Sequence, residues 1–259
     1  MAQNEFELNT VLMRSTFKIQ GEDSIGTAFI LGKPFENEPR RAHYVLITAG
    51  HVLEKMKGNS ALLFLRKKRG NSFEKISHLL PIREGNKNLW VKHPDVDVAA
   101  MYVNLPGNID IALLPTDILA NDDIFEQQKI HPGDELFCLG YPLSLEANPA
   151  GFPILRSGKI ASYPIIPAKE TKSFLFDFEV FPGNSGGPVY FVQSGRTVGR
   201  TMIVATIQFI AGLVVQQKIV TQEIELLYGK QIFKYPLALG KVIHALFIKE
   251  TIELLPPRQ

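Results

Sequence analysis

The sequence has little cysteine and little net charge. Cys138 is the single cysteine among 259 residues, so it has no partner within the chain, which excludes a disulfide-stabilised secreted scaffold. The formal net charge is only +2, which gives no electrostatic argument for binding nucleic acid or an anionic membrane surface. We therefore expect neither a nucleic-acid partner nor a membrane partner.

Long apolar runs and export signals are also missing. The longest apolar stretch, residues 201–215, is interrupted by Thr206 and Gln208 and is shorter than the ~20 residues that a membrane-spanning helix needs. The N-terminus is acidic and polar, whereas a signal peptide begins with basic residues followed by an apolar run. These features predict a protein of the cytoplasm, where thiols stay reduced.

The sequence does contain many short apolar runs of strand length. They are rich in Val, Ile, Phe and Tyr and are bounded by Gly, Pro, Asn or Asp. Because no long helical patterns alternate with them, they favour an antiparallel barrel or sandwich over a parallel sheet. The clearest runs cover residues 16–19, 26–31, 44–48, 61–65, 96–103, 135–139, 173–178, 188–192 and 203–215.

Helical signals are few. Residues 49–57 predict a short helix, and residues 237–248 carry a helical apolar face that Pro256 and Pro257 bring to an end. The polar stretch 118–132 lies between two halves of similar size and divides the chain into residues 1–120 and 121–259. The basic run that starts at Arg66 is typical of a solvated hairpin tip.

Three segments carry chemistry in a suggestive order. Thr-Ala-Gly-His ends at His51, an Asp-Val-Ala segment begins at Asp97, and Gly-Asn-Ser-Gly-Gly-Pro-Val encloses Ser185. The order His, Asp, Ser is one of the chain orders known for a nucleophilic triad. A serine hydroxyl needs a base to remove its proton and backbone N–H groups to receive the developing charge. The glycines at 183, 186 and 187 permit the tight loop that this requires.

These segments resemble the signature segments of the chymotrypsin/trypsin-like serine peptidases. The resemblance implies an all-β fold of two six-stranded antiparallel β-barrels with a C-terminal α-helix. The first barrel, in residues 1–120, would carry the histidine and the aspartate, and residues 121–259 would hold the serine and the helix. It also implies a polypeptide substrate and no cofactor. We expect no metal either, because the histidines show no paired spacing typical of a zinc site.

Matched motif by motif, the resemblance assigns each residue a role. Ser185 would be the nucleophile, His51 the general base and then acid, and Asp97 the group that orients the imidazole. The N–H groups of Gly183 and Ser185 would form the oxyanion hole. The separations, 97 − 51 = 46 and 185 − 97 = 88 positions, suit the family's domain size.

Two other aspartates compete for the acidic position. Asp110 begins an Asp-Ile-Ala-Leu-Leu segment that also resembles the family's acidic motif, and Asp95 lies two residues before Asp97. We favour Asp97 because a His-Pro pair, His93-Pro94, precedes it as in bacterial members. The longer separation to Asp110, 110 − 51 = 59 positions, would need an insertion in the first barrel.

Departures from the animal digestive enzymes indicate a bacterial type. Asn184 stands where those enzymes have an acidic residue that pairs with a freshly cut N-terminus, and no matching cleavage site is present. About ten residues follow the proposed final helix, so we expect a single catalytic domain without a PDZ domain.

Substrate preference is harder to derive from the sequence. By its offset from Ser185, Glu179 lies near the base of the family's primary specificity pocket, unless it is a solvated loop residue. Residues 204–212 should form the pocket wall, where Gln208 and Phe209 would narrow the pocket.

Two other functions remain open. The chain could be a peptidase-like module that holds a peptide or a partner without cutting it. It could also be a latent peptidase that a regulatory protein partner activates.

Overall fold

The computed structural model describes residues 7–35, 38, 41–198, 201–226 and 229–258. Strands predominate and all helices in this part are short, so the all-β class is confirmed. None of the helices described is both long and apolar enough to cross a lipid bilayer.

The first half of the chain forms one sheet with a small ribbon beside it. In the sheet the order is β5-β4-β1-β2-β3-β9-β8, with β10 added in parallel to β2, while β6 and β7 form a separate two-stranded ribbon. The strands are β1 (Thr16–Gln20), β2 (Ile25–Pro34), β3 (Ala42–Thr48), β4 (Ser60–Arg69), β5 (Ser72–Pro81), β6 (Arg83–Glu84), β7 (Lys87–Asn88), β8 (Val91–Lys92), β9 (Ala99–Tyr102) and β10 (Leu114–Pro115).

This sheet differs from the expected six-stranded barrel. Among the described residues it has eight strands, and the pairings follow an open path from β5 to β8. The β8 end is short because the chain leaves the ladder after two residues to form the loop that carries Asp97.

The second half forms the expected six-stranded barrel. The pairings close in the order β11-β12-β13-β16-β15-β14, and neighbouring strands run antiparallel all the way round. Strands β15 and β16 continue beyond the barrel as a two-stranded ribbon. The six strands are β11 (Glu135–Gly140), β12 (Ile154–Ile160), β13 (Ser173–Asp177), β14 (Pro188–Val198), β15 (Thr201–Leu226) and β16 (Gly229–His244).

The C-terminal helix begins later than the sequence predicts. Five α-helices are described: α1 (Leu8–Ser15), α2 (Gly50–Glu54), α3 (Asp122–Gln127), α4 (Ala168–Thr171) and α5 (Ala245–Glu253). The prediction of a helix from Leu237 was wrong, because Leu237 and Val242 lie in β16, which pairs with β13 and β15 on its two sides. Ladder pairing on both sides outweighs a weak local helical pattern.

Helix α5 joins the two halves of the molecule. It follows the last strand of the barrel, yet Phe247, Ile248 and Ile252 are buried in the core of the first sheet. Burial of such side chains stabilises by about 1.5–3 kcal/mol each. The core of the first half is therefore incomplete without the C-terminus.

Arg66 is not the solvated residue that the basic run predicts. Its side chain is 0% exposed, and its guanidinium lies between the rings of Phe17 and Phe152, 4.5 and 4.4 Å from their centroids. It donates hydrogen bonds to the carbonyls of Thr16 and Gly151, both at 3.0 Å. Burial lowers the pKa of the guanidinium. Arg66 therefore ties the N-terminal segment to the loop after β11.

Candidate active site

His51 and Asp97 are in contact. His51 is the second residue of α2, directly after β3, and Asp97 lies in the loop between β8 and β9. The Nδ1 atom of His51 is 2.5 Å from Asp97 Oδ2, and the backbone N–H of His51 donates to Oδ1 at 2.8 Å. With Nδ1 as donor to the carboxylate, Nε2 is left as the acceptor that a general base needs.

The charge of Asp97 is stabilised where it lies. Burial by itself raises the pKa of Asp97, but the hydrogen bonds and charge of His51, together with the charge of Lys92, lower it by a larger amount, so the net pKa lies below its ordinary value. The side chains of His51 and Asp97 keep 28% and 31% of their surface exposed, so this pair faces the open cleft.

The other two candidate aspartates are occupied elsewhere. Asp110 is 4% exposed and receives two hydrogen bonds from Arg14, at 3.0 and 2.6 Å. Asp95 is exposed, and its backbone N–H donates to His93 Nδ1. Of the three aspartates, Asp97 is the one that the structure brings to His51.

The loop before Ser185 contains a tight turn. The N–H of Asn184 donates to the carbonyl of Phe181 at 3.0 Å, and Gly183 has a φ of +97°. Pro182 and Gly183 at the two central positions are the residues that a type II turn prefers. A β-carbon at Gly183 would lie 2.1 Å from the carbonyl oxygen of Tyr141, so only glycine fits.

The turn also determines where the Gly183 N–H points. The carbonyl of Pro182 accepts a hydrogen bond of 2.7 Å from the N–H of Leu143. Because that carbonyl and the Gly183 N–H belong to one planar peptide unit, the N–H points the opposite way. Among the described residues, neither the N–H of Gly183 nor that of Ser185 has a hydrogen-bond partner.

Ser185 is held against the first half of the chain. Its carbonyl accepts a hydrogen bond of 2.9 Å from the N–H of Thr27, and the Thr27 hydroxyl donates to the carbonyl of Gly183 at 2.7 Å. A β-carbon added to Gly186 would lie 3.0 Å from the backbone nitrogen of Ala49, two residues before His51. These contacts bring the serine loop to the histidine turn.

The Ser185 hydroxyl does not point to the histidine. Its Oγ donates to the carbonyl of Val215 at 3.1 Å, and within the described part of the chain no hydrogen bond joins it to His51. Val215 is the extra residue of a bulge, because Val214 pairs with Val242 and Gln216 pairs with Lys241. A bulge of this kind redirects one carbonyl away from the ladder.

The predicted pocket wall is corrected by the structure. Phe209 is 3% exposed and stacks on Phe191 inside the barrel, 5.3 Å between centroids. Gln208 accepts a hydrogen bond from the N–H of Leu8 at the start of α1. Their positions follow from the pairing of β14 with β15, which ends at Leu213, so the free edge of β15 beside Ser185 starts several residues later than expected.

Glu179 is exposed, and its backbone carbonyl accepts a hydrogen bond from Arg156 at 2.7 Å. It does not line the cavity that contains His51 and Asp97, which has a volume of about 480 Å³. A role for Glu179 at the base of a specificity pocket stays a prediction.

Three residues that support the site were not assigned to it from the sequence. Thr27 anchors the serine loop, Leu143 anchors the turn, and Val215 faces the serine hydroxyl. The Gly-Thr pair at 26–27 is a local signal for the first. The other two depend on contacts between segments distant in sequence, which no local pattern displays.

Outside the cleft, the described residues offer neither a reactive thiol nor a metal-binding cluster. Cys138 is a free and buried thiol, and burial raises its pKa to about 12, so it is not a nucleophile at neutral pH. Within the described residues, no group of three or more His, Cys, Asp or Glu side chains is arranged to hold a metal ion.

Comparison with known proteins gives the family. A search among curated protein sequences finds no match. Solved structures that resemble the chain include the Rv3671c protease of M. tuberculosis in an inactive form, at 16% identity and a TM-score of 0.44, covering 96% of this chain and 92% of that one. Another is the protease Anisep from Arthrobacter nicotinovorans, at 11% identity and a TM-score of 0.48, covering 93% and 94%. The model of the trypsin-like peptidase domain matches residues 26–199, about two thirds of the sequence, and the chain belongs to that family.

Proposed function

We propose that this chain is a serine endopeptidase that cuts polypeptides through Ser185, His51 and Asp97. The observation that carries the proposal is the contact of His51 Nδ1 with Asp97 Oδ2 at 2.5 Å, beside a glycine-rich serine loop with two unpaired N–H groups. Family membership supports a serine peptidase in general terms. The chemistry draws on these side chains and backbone groups and needs no cofactor.

The reaction has two stages. Ser185 Oγ attacks the carbonyl carbon of the peptide bond, and its proton moves to Nε2 of His51. The carbonyl oxygen becomes an oxyanion, which the N–H groups of Gly183 and Ser185 stabilise. The C–N bond then breaks, His51 gives the proton to the departing amine, and the acyl group stays on Ser185 as an ester. In the second stage His51 takes a proton from water, which attacks the ester carbon. The C–O bond to Ser185 then breaks, and His51 returns the proton to Ser185 Oγ.

The first step requires a rotation of the serine side chain. In the free chain the hydroxyl donates to the carbonyl of Val215, so it has to turn about its Cα–Cβ bond toward His51. Rotation between staggered positions is fast on the timescale of turnover. A substrate N–H that bonds to the Val215 carbonyl would favour the rotation by removing the acceptor of the hydroxyl.

The test is hydrolysis of a diverse peptide library by the wild type and by Ser185→Ala. We expect cleavage by the wild type and a loss of roughly 10⁶-fold in the variant, because the nucleophile is gone. An unchanged rate in Ser185→Ala would refute the role of Ser185.

A second candidate function is favoured by the orientation of the Ser185 hydroxyl. If its bond to Val215 persists, the chain would be a latent peptidase that needs a partner, or a module that binds peptides without cutting them. A fluorophosphonate probe distinguishes the cases, since it reacts with an activated serine whatever the peptide specificity. Labelling without cleavage of the library indicates a narrow peptidase, and absence of both favours the latent or binding form.

The polypeptide substrate, the bacterial type and the cytoplasmic location belong to the same proposal. The location is supported by the free, buried thiol of Cys138, which needs no oxidising compartment.

A further inference from the structure

We propose that three lysines, two in the cavity that contains His51 and one in the cavity next to it, form a subsite for an acidic side chain of the substrate. They are Lys172, Lys218 and Lys241, all in the second half of the chain. The inference rests on the proposed peptidase function, since it concerns the specificity of the same cleft, and it is tested by peptide binding rather than by cleavage.

A bound peptide would lie along an open edge of β15. On the side of β14, the ladder of β15 ends at Leu213, and the last backbone bonds link Val214 to Gly186 and Gly187. Beyond Val214 that edge of β15 has no strand partner among the described residues. An unpaired strand edge accepts an extended peptide by backbone hydrogen bonding. A peptide bound there would lie across Ser185, since the Val215 carbonyl is already within 3.1 Å of the serine hydroxyl.

A cavity that contains two of the lysines lies next to that edge. A space of about 480 Å³ is lined by His51 and Asp97 on one side and by Gln216, Lys241 and Lys172 on the other. Gln216 and Lys241 are paired across β15 and β16, so their side chains share one face. Side chains of a peptide on the β15 edge can therefore reach both lysines.

The positive charge continues from the first cavity into a second one. A neighbouring cavity of about 370 Å³ is lined by Lys241 and Lys218. Lys218 lies between Gln217 and Ile219 of β15, opposite residues 237–239, which bulge out of β16. Lys241 thus lies in both cavities and connects them.

The positive charges of the three lysines are not neutralised by ion pairs within the described residues. In the part of the chain that the structure describes, none of the three lysines has an ion-pair partner, although ten other lysine and arginine side chains do: Arg14, Lys18, Arg41, Lys57, Arg69, Lys75, Lys92, Lys169, Arg196 and Lys230. The carboxylates of the cavity are mostly engaged, since Glu54 pairs with Lys92 and Asp97 with His51. Asp95 remains on the opposite wall.

The backbone of Lys172 adds to this argument. It is the C-cap of α4 and has a φ of +58°, a left-handed conformation in which glycine is the usual residue. A β-carbon is unfavourable in that conformation. A lysine at this position places a cation at the mouth of the cavity, although glycine would adopt the conformation with less strain.

The substrate class follows from these charges. A Glu or Asp side chain near the cut bond would meet two or three unpaired cations, whereas a Lys or Arg side chain would be repelled. Partly exposed ion pairs contribute modestly, so we expect a preference of about 3- to 10-fold for Glu over Gln.

The experiment measures binding to Ser185→Ala protein, so it does not depend on turnover. Fluorescent decapeptide pools, each with Glu or Gln fixed at one position, are titrated at 0.15 M salt and at 1 M salt. We expect tighter binding of the Glu pools at one or two positions. The preference should disappear in Lys172→Glu/Lys241→Glu, and it should shrink at 1 M salt because charges are then screened within ~3 Å.

Control variants make the result specific. Lys67→Glu/Lys68→Glu changes two lysines near the β4–β5 turn by the same total charge, and it should leave the preference intact. Asp95→Asn should strengthen the preference, since it removes the opposing carboxylate. Equal affinities for Glu and Gln pools, no measurable binding of either pool, or a preference that survives the double substitution would overturn the proposal. Failure of the peptidase function is seen separately, as lack of cleavage by the wild type.

Discussion

Substitution of Gly183 by alanine should remove one oxyanion donor while leaving the triad side chains in place. Gly183 has a φ of +97°, and a β-carbon there would lie 2.1 Å from the carbonyl oxygen of Tyr141. The neighbour is backbone and cannot move aside easily. The turn at Pro182–Gly183 must therefore change, which redirects the N–H of Gly183.

The magnitude has two parts. A positive φ costs an L-residue about 1–2 kcal/mol. The loss of one oxyanion donor costs about 10²–10³-fold in rate, or about 2.7–4 kcal/mol of transition-state stabilisation. The first part lowers the free energy of unfolding, and the second lowers the rate of acylation.

Gly133 provides the matched control. Its φ is +93°, nearly the same, but an added β-carbon would meet nothing within 4 Å. Gly133→Ala should lose about 1–2 kcal/mol of stability from the unfavourable φ and keep its full rate.

The assay combines urea unfolding with the rate of labelling by a fluorophosphonate probe. We expect labelling of Gly183→Ala to be about 10²–10³-fold slower than that of Gly133→Ala at a protein concentration where both are folded. If the two variants react equally fast, the turn does not supply an oxyanion donor and the reasoning is refuted.

Three further predictions concern the acid, the buried histidine and the C-terminal helix. Asp97→Asn should lower kcat by about 10⁴-fold, because the imidazole loses its orienting carboxylate. Asp110→Asn should leave kcat within a few fold and affect only stability, and the opposite result would transfer the role to Asp110. Burial lowers the pKa of His244 to about 4 from 6.5, so the folded state binds fewer protons than the unfolded state between those pH values. Stability should therefore fall by up to about 3 kcal/mol as the pH drops from 6.5 to 4, measured by urea unfolding, and His244→Gln should flatten this dependence. Phe247→Ala should cost about 3–5 kcal/mol, with both halves unfolding in one transition by fluorescence and circular dichroism, and two separate transitions would contradict the shared core.

The sequence predicts best what is encoded within a few consecutive residues. The glycines around Ser185 and the small residues before His51 specify their own turns, so both loops could be recognised in isolation. The pairing of Asp97 with His51 was expected only from a local motif, and the structure now gives the distances that join them.

The sequence does not show the register in which two strands pair. Gln208 and Phe209 were expected in the pocket wall, but the pairing of β14 with β15 places Phe209 in the core, and a bulge makes Val215 the residue that faces Ser185. Bulge positions depend on the partner strand and not on the bulged residue itself.

Tertiary contacts also override local polarity. Arg66 belongs to a basic run that predicts solvent exposure, yet it is fully buried between two aromatic rings, because its two terminal nitrogens donate to backbone carbonyls of distant segments. Residues 237–244 carry a local helical pattern but lie in β16, which pairs with β13 over residues 239–243 and with β15 over residues 240–244.

The central claim is that Ser185 is a nucleophile activated by His51. The most direct measurement is labelling of the wild type with a fluorophosphonate probe, followed by digestion and mass spectrometry of the modified peptide. We expect a single adduct on Ser185, formed much more slowly in His51→Ala and absent in Ser185→Ala. An adduct on another residue, or labelling at an unchanged rate in His51→Ala, would contradict it.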